Sequence, residues 1–567
     1  MTGSTWFAAA FAFAPQQDAA SSGGPADLIV LASRVRTLDP ERPIAEFVAI
    51  RGDRIVAVGA RADAERLTGP STRRIDLPPG ACLLPGFIDS HAHLLSVGHS
   101  LRQLDLVDTR SFEEVVAKAA ERARSLTRGA WLRGRGWDQN DWAAARFPDH
   151  AALSAAIPDR PVCLERIDGH AVLVNAKALE LAGIDATTKA PDGGEIVKDA
   201  RGAPTGVLVD AATALVEQAI PAPTDAEEGE ALDLALCTCR ELGITMVHDA
   251  GVGRQALELY RRAAGEERLT TRLYAMVDGS DEALVSDVFA RGPWSEPTGF
   301  LTVRAVKMYA DGALGSRGAL LLEDYADWPG HRGNALTDRD RLTQIARRAL
   351  AVGFQVCTHA IGDAANRMVL DAYEQALAQD GGAHRDPRLR IEHAQLVAPD
   401  DVARFARIAI VASMQSCHAT SDGPWVVARL GLERARDEAY VWRRLLSAGV
   451  TICNGTDAPV ESLAPLRNLY SAVTRLDPGG GLKAPFFPEQ CMTPEEALRS
   501  ATSAGAYAAF AEDRLGKLRV GFLADLVALS LDPVERSPQG WLDAQVVVTI
   551  VGGRVVYSRT APAGPAR

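Results

Sequence analysis

The stretch Leu83–Gly98, LLPGFIDSHAHLLSVG, decides the fold of this chain. An apolar run turns at Pro85-Gly86, resumes as Phe87-Ile88 and then delivers His91 and His93. Residues two apart in a strand point to the same face, so both imidazoles can face one point. Neutral imidazoles are ligands that suit zinc or a similar first-row metal. The stretch therefore predicts a strand that ends in a candidate metal site.

Short apolar segments of the same kind recur along the middle of the chain, separated by helical patterns. The predicted strands are Leu83–Ile88, Ile244–His248, Arg272–Val277, Val303–Tyr309, Phe354–His359, Leu389–His393, Ile408–Met414 and Thr451–Asn454. Strands that alternate with helices favour an α/β fold, and eight of them favour a closed (β/α)8 TIM-like barrel over an open sheet. We expect this barrel over residues 83–510.

Both ends of the chain have a β pattern instead. ADLIVLASRVRTLD and FVAIRGDRIVAVG near the start are matched by ADLVALSLDP and VVVTIVGGRVVYS near the end. We expect residues 26–82 and 511–560 to pack together as one small β-sandwich domain. The first two barrel strands are too far apart for one crossover connection. We therefore predict an inserted lobe at about residues 106–221, with a hairpin in GGEIVKDARGAPTGVLVD.

Composition excludes some classes of protein. The chain of 567 residues is 47% hydrophobic and 24% charged, and its net charge of −12 is spread without long runs. It has no basic patch with interleaved aromatic residues, so nucleic acid is not an expected partner. No apolar stretch reaches the length of a membrane span. We expect a protein without an integral membrane segment that binds a small molecule.

The first 25 residues have two interpretations. STWFAAAFAFAPQQDAASSGG resembles the end of a secretory signal, but no Lys or Arg precedes it. The segment is either a signal peptide without its basic start or a disordered tail. The first alternative predicts a secreted or periplasmic protein and the second a cytoplasmic one.

Polar side chains collect at the predicted strand ends, where barrels of this kind place their chemistry. They are His91, His93, Lys307, His359, His393 and Asp457. Each alone has an ordinary explanation: Lys307 could pair with Asp311, for example, and Asp457 could be a turn residue. Because separate elements bring all of them to one mouth, together they predict a metal site.

Six motifs of this sequence resemble amidohydrolase family 3 of the amidohydrolase superfamily, which includes N-substituted formamide deformylases. In the barrel they are PGFIDSHAHL, VKMYADGALGSRGALL and NGTDAPV, and in the lobe GWDQNDW, DGHAVLVNAKAL and GEIVKDARGAPTGVLVD. The resemblance extends from about residue 26 to residue 553. NGTD stands where GSD is commoner, but the aspartate is retained.

The resemblance implies a site with two divalent metal ions, zinc being the first choice. Its implied ligands are His91, His93, a carboxylated Lys307, His359, His393 and Asp457, with His359 and His393 on the second ion. A lysine amine can add carbon dioxide when burial lowers its pKa, and the resulting carbamate would bridge two cations. The alternative is a single ion with Lys307 as an electrostatic neighbour.

The resemblance also implies hydrolysis of a C–N bond in an amide-like small molecule, such as an N-substituted formamide or an N-acyl compound. Asp457 would take a proton from the attacking water and return it to the leaving nitrogen. One alternative is a deaminase or cyclic amide hydrolase with the same metal site, and another is a non-catalytic binding protein that has kept the fold. Whether the chain is a monomer or a homodimer stays open.

Four residues are candidates for contact with the substrate. His418 follows the seventh strand and is either a hydrogen-bonding group for substrate or a plain loop histidine. His170, with Asp168 in the lobe, is a weaker candidate for the same role. Trp137 and Asp138 either lie on a lid over the site or belong to a buried anchor of the lobe.

Overall fold

The computed structural model describes residues 24–559, except residues 108, 128, 140–141, 144–145, 167–170, 192–193 and 382–385. Nearly all of the signal-like segment therefore lies outside the described residues. The chain forms two compact units, one made of Met1–Leu94 with Leu236–Arg567 and the other of Leu95–Ala235. The predicted lobe, at about residues 106–221, lies within the second unit, which extends beyond it at both ends.

The strands and helices have the following bounds. The strands are β1 Leu28–Arg36, β2 Ile44–Arg51, β3 Arg54–Gly59, β4 Arg73–Asp76, β5 Cys82–Pro85, β6 Phe87–Ala92, β7 Leu104–Asp105, β8 Leu132–Trp137, β9 Val162–Arg166, β10 Ala171–Val174, β11 Gly194–Lys198, β12 Pro204–Asp210, β13 Ile244–Val252, β14 Arg272–Asp278, β15 Trp294–Ser295, β16 Leu301–Tyr309, β17 Gln355–Ala360, β18 Arg390–His393, β19 Val411–Gln415, β20 Thr451–Gly455, β21 Leu526–Leu529, β22 Val546–Val551 and β23 Arg554–Ser558. The α-helices are α1 Leu94–Arg102, α2 Phe112–Ser125, α3 Ala151–Ala156, α4 Ala176–Leu181, α5 Ala214–Glu217, α6 Asp225–Glu241, α7 Arg254–Gly265, α8 Glu282–Arg291, α9 Arg339–Val352, α10 Asp363–Asp380, α11 Pro399–Arg407, α12 Ser416–Ser421, α13 Gly423–Leu430, α14 Leu432–Glu438, α15 Trp442–Ser447, α16 Pro465–Thr474, α17 Pro494–Ser500 and α18 Ser503–Ala508.

Strands from both chain termini form one mixed sheet. Its order is β23-β22-β21-β5-β1-β2-β3, with β4 pairing β1. The central strand β1 is buried on both faces, since Val30 packs in one apolar cluster and Ile29 in another. A strand buried on both faces has a continuous apolar sequence, which explains the run LIVL at its start.

The barrel is a parallel sheet in the order β6-β13-β14-β16-β17-β18-β19-β20. Helices separate most of its strands along the chain, so the predicted (β/α)8 barrel with an extra domain is confirmed. Other contacts close the seam between the first and last strands. Gly455 of β20 lies so near β6 that a Cβ there would be 2.4 Å from the backbone nitrogen of His91. The Asp457 N–H also donates to the His91 carbonyl at 2.7 Å.

One predicted barrel strand is wrong as drawn. The run Leu83–Ile88 is not a single strand, because β5 pairs with β1 and β21 in the terminal sheet while β6 pairs with β13 in the barrel. Gly86 separates them at a point where a Cβ would lie 2.2 Å from the Thr245 side chain. The chain passes here from one sheet to the other, which an unbroken apolar run does not reveal.

The second unit has a sheet of its own, in the order β11-β12-β10-β9-β8-β7. The predicted hairpin is confirmed, since β11 and β12 pair antiparallel. An apolar core between this sheet and α2 includes Trp137 and Trp142. In the described part of the chain, no helix is both long and apolar enough to cross a membrane.

Candidate metal centre

The polar residues predicted at the strand ends meet at the carboxyl end of the barrel. One ligand atom each from His91, His393 and Asp457 lies within 4.8 Å of the other two. All three residues are buried, with at most 7% of their surface exposed. The rings of His359 and His393 have centroids 4.5 Å apart, which places His359 beside this group.

His91 and His93 both turn toward Asp457. The His91 Nδ1 donates to the Glu392 carboxylate at 2.5 Å, and its Nε2 lies 3.5 Å from Asp457 Oδ1. The His93 Nδ1 donates to the Ala250 carbonyl at 2.9 Å, and its Nε2 lies 3.1 Å from the same Asp457 oxygen. The two residues thus share a face, as the spacing predicts.

His359 and His393 approach from β17 and β18, the fifth and sixth strands of the barrel. The His393 Nδ1 lies 2.8 Å from the Gln415 side-chain oxygen. The His359 side chain lies near the Gly312 backbone. Its Nε2 is buried, makes no hydrogen bond to any described residue and lies 3.5 Å from Asp311 Oδ1. A buried ring nitrogen without a partner calls for an explanation, and a missing ligand is one.

The backbone at this mouth adopts conformations that non-glycine residues rarely take. His393, Ala394 and Asp457 have φ values of +71°, +43° and +58°. In an extended strand, His393 would point to the face opposite Glu392. Its left-handed conformation costs about 1–3 kcal/mol and persists only where the surroundings enforce it. Such strain gathers at functional sites, so it adds weight to this end of the barrel.

Burial and neighbouring charge set the protonation states of the centre. Burial, and next the Lys307 charge, lower the pKa of His91 to about 4 and that of His359 to about 3. Burial also lowers the pKa of Lys307, whose Nζ lies 3.2 Å from His91 Nε2. Burial would raise the pKa of Asp457, but the hydrogen bond from His93 and the electrostatic effect of the neighbouring histidines hold it well below its usual value. Burial opposes protonation of His93, but its hydrogen bond to Asp457 raises the pKa of that ring. In the metal-free chain, neutral rings of His91 and His359 therefore lie near an ionised carboxylate.

This arrangement fits a divalent cation. In His91, His93 and His393 an outer acceptor engages Nδ1, which leaves Nε2 for the centre. Histidine ligands of metals have this arrangement, with the second nitrogen held by a carboxylate, a backbone carbonyl or water. Neutral imidazoles with a carboxylate are the donors that zinc and related ions bind.

The candidates for substrate contact lie in different parts of the molecule. The His418 ring stacks on that of His393 with centroids 6.0 Å apart, and its Nε2 lies 3.7 Å from Asp457 Oδ2. Trp137 is fully buried in the second unit, where its Nε1 donates to the Leu164 carbonyl at 2.7 Å. Asp138 pairs with Arg166 at 3.0 Å. His170 lies outside the described residues, and contact of any of these with substrate stays a prediction.

Sequence reasoning missed the groups that hold the candidate ligands. Glu392 accepts a hydrogen bond from His91, and the Gln415 side-chain oxygen lies 2.8 Å from His393 Nδ1. Asp311 lies beside His359. The sequence did contain one signal. RLRIEH places Arg390 and Glu392 two apart in an apolar strand, so two charged side chains must share a buried face.

Known proteins resemble this chain in both structure and sequence. An uncharacterized metal-dependent hydrolase from Pyrococcus furiosus superposes with a TM-score of 0.74 and 29% identity, covering 90% of this chain and 100% of that one. A second, from Pyrococcus horikoshii, gives a TM-score of 0.75 and 27% identity over 90% and 99% of the two chains. The fold and centre thus define a barrel of the metal-dependent hydrolase type.

Sequence comparison identifies the family. The pattern of the amidohydrolase family matches residues 75–557. The putative amidohydrolase YtcJ of Bacillus subtilis is 35% identical over 88% of this chain and 92% of its own length. Protein LONG AFTER FAR-RED 3 of Arabidopsis thaliana is 34% identical over 94% and 92%, and an N-substituted formamide deformylase of Arthrobacter pascens 29% identical over 94% and 99%. The chain belongs to the amidohydrolase family.

Proposed function

We propose that this chain is a metal-dependent hydrolase that cleaves the C–N bond of an amide-like small molecule. The observation that carries the proposal is the buried convergence of His91, His393 and Asp457 within 4.8 Å. The Pyrococcus neighbours, described as metal-dependent hydrolases, support it. Membership of the amidohydrolase family supports the amide-like substrate.

The centre would hold two divalent cations, with zinc as the first choice. The residues proposed to bind them are His91, His93, Lys307, His359, His393 and Asp457. When bound, such cations lower the pKa of a water molecule to about 7 and polarise a substrate carbonyl. The rest of the chemistry belongs to side chains of this chain.

Asp457 is the proposed proton carrier. It is ionised and buried, and its two oxygens are directed to different neighbours, Oδ1 to His93 at 3.1 Å and Oδ2 to His418 at 3.7 Å. It takes a proton from the attacking water and returns it to the leaving nitrogen. His418, whose Nε2 lies on the Oδ2 side, is the proposed hydrogen-bonding partner of the substrate.

Lys307 is the proposed bridge between the cations. As an ammonium only 3.2 Å from His91 Nε2, it would repel any cation held there. Burial lowers the pKa of Lys307 and so favours the neutral amine. That amine adds carbon dioxide, forming an N–C bond and releasing one proton, and the product is an anionic carbamate.

An N-substituted formamide or N-acyl compound is the proposed substrate class. The Arthrobacter pascens deformylase, related over 94% of this chain, supports that choice.

The purified chain should be assayed for metal content and then against N-formyl, N-acyl and cyclic amides and aminated heterocycles. About two zinc ions and chelator-sensitive hydrolysis of the open-chain amides are expected. Turnover of the cyclic or aminated compounds alone would indicate a deaminase or cyclic amide hydrolase. Metal without turnover would favour a binding protein.

Substitution of Lys307 distinguishes a two-ion centre with a lysine carbamate from a single-ion centre. Lys307→Ala should lose at least one cation and most activity, and a short carboxylic acid in the buffer should restore part of it by filling the vacant bridge. Lys307→Arg should not be restored, since a guanidinium forms no carbamate. Metal content and turnover are measured for both variants. An arginine variant with normal values of each would leave a single-ion centre as the better account.

A further inference from the structure

Beneath the candidate centre, Arg390 and Glu392 form a fully buried ion pair. Arg390 Nε lies 2.8 Å from Glu392 Oε1, and Arg390 Nη2 donates to Glu392 Oε2 at 3.1 Å. Neither side chain is exposed to any extent. The same Oε2 accepts the 2.5 Å hydrogen bond from His91 Nδ1. Glu392 therefore links the Arg390 guanidinium to His91, a candidate metal ligand.

Arg390 is held in place by further hydrogen bonds. Its Nη1 donates to His248 Nδ1 at 2.9 Å. Its Nη2 also donates to the Ser90 carbonyl at 2.8 Å and to the Ser413 hydroxyl at 2.9 Å. A guanidinium is always charged and can only donate. The Glu392 carboxylate beside it is thus kept as an ion that can only accept.

This geometry determines the position of the His91 proton. Because an ionised carboxylate accepts hydrogen bonds, His91 Nδ1 must carry the hydrogen that points to Glu392. The proton of the neutral ring is then on Nδ1, and Nε2 presents a lone pair to the centre. The Lys307 Nζ at 3.2 Å, itself a donor, is consistent with an unprotonated Nε2.

We propose that Glu392, clamped by Arg390, is a positioning residue that fixes the tautomer of His91 and thereby sets the affinity of the centre for its cation. The part concerning affinity rests on the proposed function, whereas the tautomer is a property of the metal-free chain. His93 and His393 have uncharged outer partners, the Ala250 carbonyl and the Gln415 amide. A hydrogen bond to an ionised acceptor is roughly twice as strong as a neutral one, so His91 is the most firmly oriented of the three.

The test is Glu392→Gln, which keeps the shape and removes the charge. Both oxygens of Glu392 face Arg390, which only donates, and Arg390 Nε is nearer to Oε1 (2.8 Å) than Arg390 Nη2 is to Oε2 (3.1 Å). The amide oxygen should therefore take the Oε1 position, which leaves the amide N–H2 at the Oε2 position facing His91. The ring must then accept at Nδ1 and carry its proton on Nε2, where a cation has to displace it. Zinc affinity, measured by competition with a chromogenic chelator, should fall about 10–100-fold.

Tyr274→Phe is the matched control. It removes a buried hydroxyl from the same barrel interior, where it lies 3.1 Å from Gln355 Oε1, and it contacts no candidate ligand through that group. Its zinc affinity should equal that of the unmodified chain. A Glu392→Gln variant that binds zinc within about threefold of the unmodified chain would overturn the role in affinity.

A second measurement reads the His91 tautomer in the unmodified chain, so the positioning role can be tested without Glu392→Gln. Nitrogen-15 NMR of the metal-free chain labelled at histidine, with the His91 signal assigned by its loss in His91→Gln, reports which ring nitrogen carries the proton. We expect Nδ1–H in the unmodified chain and Nε2–H in Glu392→Gln. Finding Nε2–H in the unmodified chain refutes the positioning role. A chain that binds no zinc at all would refute the proposed function, while the tautomer result would still decide the role of Glu392.

Discussion

The two ends of the barrel bury polar side chains in opposite ways. At the amino end, Arg272 of β14 and Asp525 are 3% and 4% exposed and form two contacts of 2.7 and 3.1 Å. Asp525 also accepts the Gly552 N–H at 2.8 Å. At the carboxyl end, the Nε2 atoms of His359 and His418 are buried without a hydrogen bond among the described residues.

The difference separates stability from function. A buried ion pair whose groups are satisfied needs nothing further, and Arg272–Asp525 joins the barrel to the sheet built from both termini. Ring nitrogens without hydrogen bonds and the left-handed backbone of His393 and Asp457 each reduce the stability of the folded chain. In barrels of this type the carboxyl end carries the chemistry and the amino end the stability. Four substitutions test whether that division holds here.

The largest effect is expected for His91→Ala at the carboxyl end. If the proposed function holds, loss of His91 should release bound cation and with it water activation and carbonyl polarisation, and turnover should fall by at least about 10⁴-fold. Metal content should fall with it. His99→Ala, which removes a histidine paired with Glu228 at 3.0 Å in the second unit, is the control and should keep both. Normal turnover in His91→Ala would eliminate the proposed centre.

Asp457→Asn comes next. The amide keeps the shape of the side chain but cannot carry the proton, and general acid–base groups contribute about 10²–10⁴-fold. The variant should fold, retain part of its metal and be nearly inactive, as measured by turnover and metal analysis side by side. A loss below about tenfold would mean that another group moves the proton.

Asp525→Ala tests the amino end, where the expected effect is on stability and not on rate. Removing one partner leaves the Arg272 charge buried and unpaired, which typically costs about 3–5 kcal/mol. Denaturant unfolding should show that loss, while turnover per folded molecule stays normal. Unchanged unfolding with impaired turnover would reverse the roles assigned to the two ends.

The smallest effect is expected for Asp76→Ala, which removes one partner of an exposed ion pair away from both ends of the barrel. Asp76 and Arg61 lie 2.6 Å apart in the terminal sheet domain, and both side chains are 54% exposed. Water and salt screen such pairs, so the free energy of unfolding should change by less than about 1 kcal/mol. A change as large as that of Asp525→Ala would show that burial is not what distinguishes the two pairs.

Much of the barrel could be predicted from the sequence because its strands are short apolar runs separated by helical patterns. All the predicted barrel strands from Ile244–His248 onward overlap strands of the structure. The prediction for the first strand failed because CLLPGFI has no polar side chain, and only its distant partners divide it at Gly86. β5 pairs with Val527 of β21, whereas β6 pairs with Ile244 of β13.

The sequence by itself determined which residues stand at the strand ends, including His91, His393 and Asp457, because periodicity and chain order are local properties. Only the tertiary structure decided what lies behind them. His91 and Glu392 are 301 positions apart in the chain, and Arg272 and Asp525 are 253 apart. Strand register and barrel closure bring such residues within hydrogen-bonding distance. No short stretch of sequence contains that information, so the partners of His91 and Arg272 can be identified only in the folded chain.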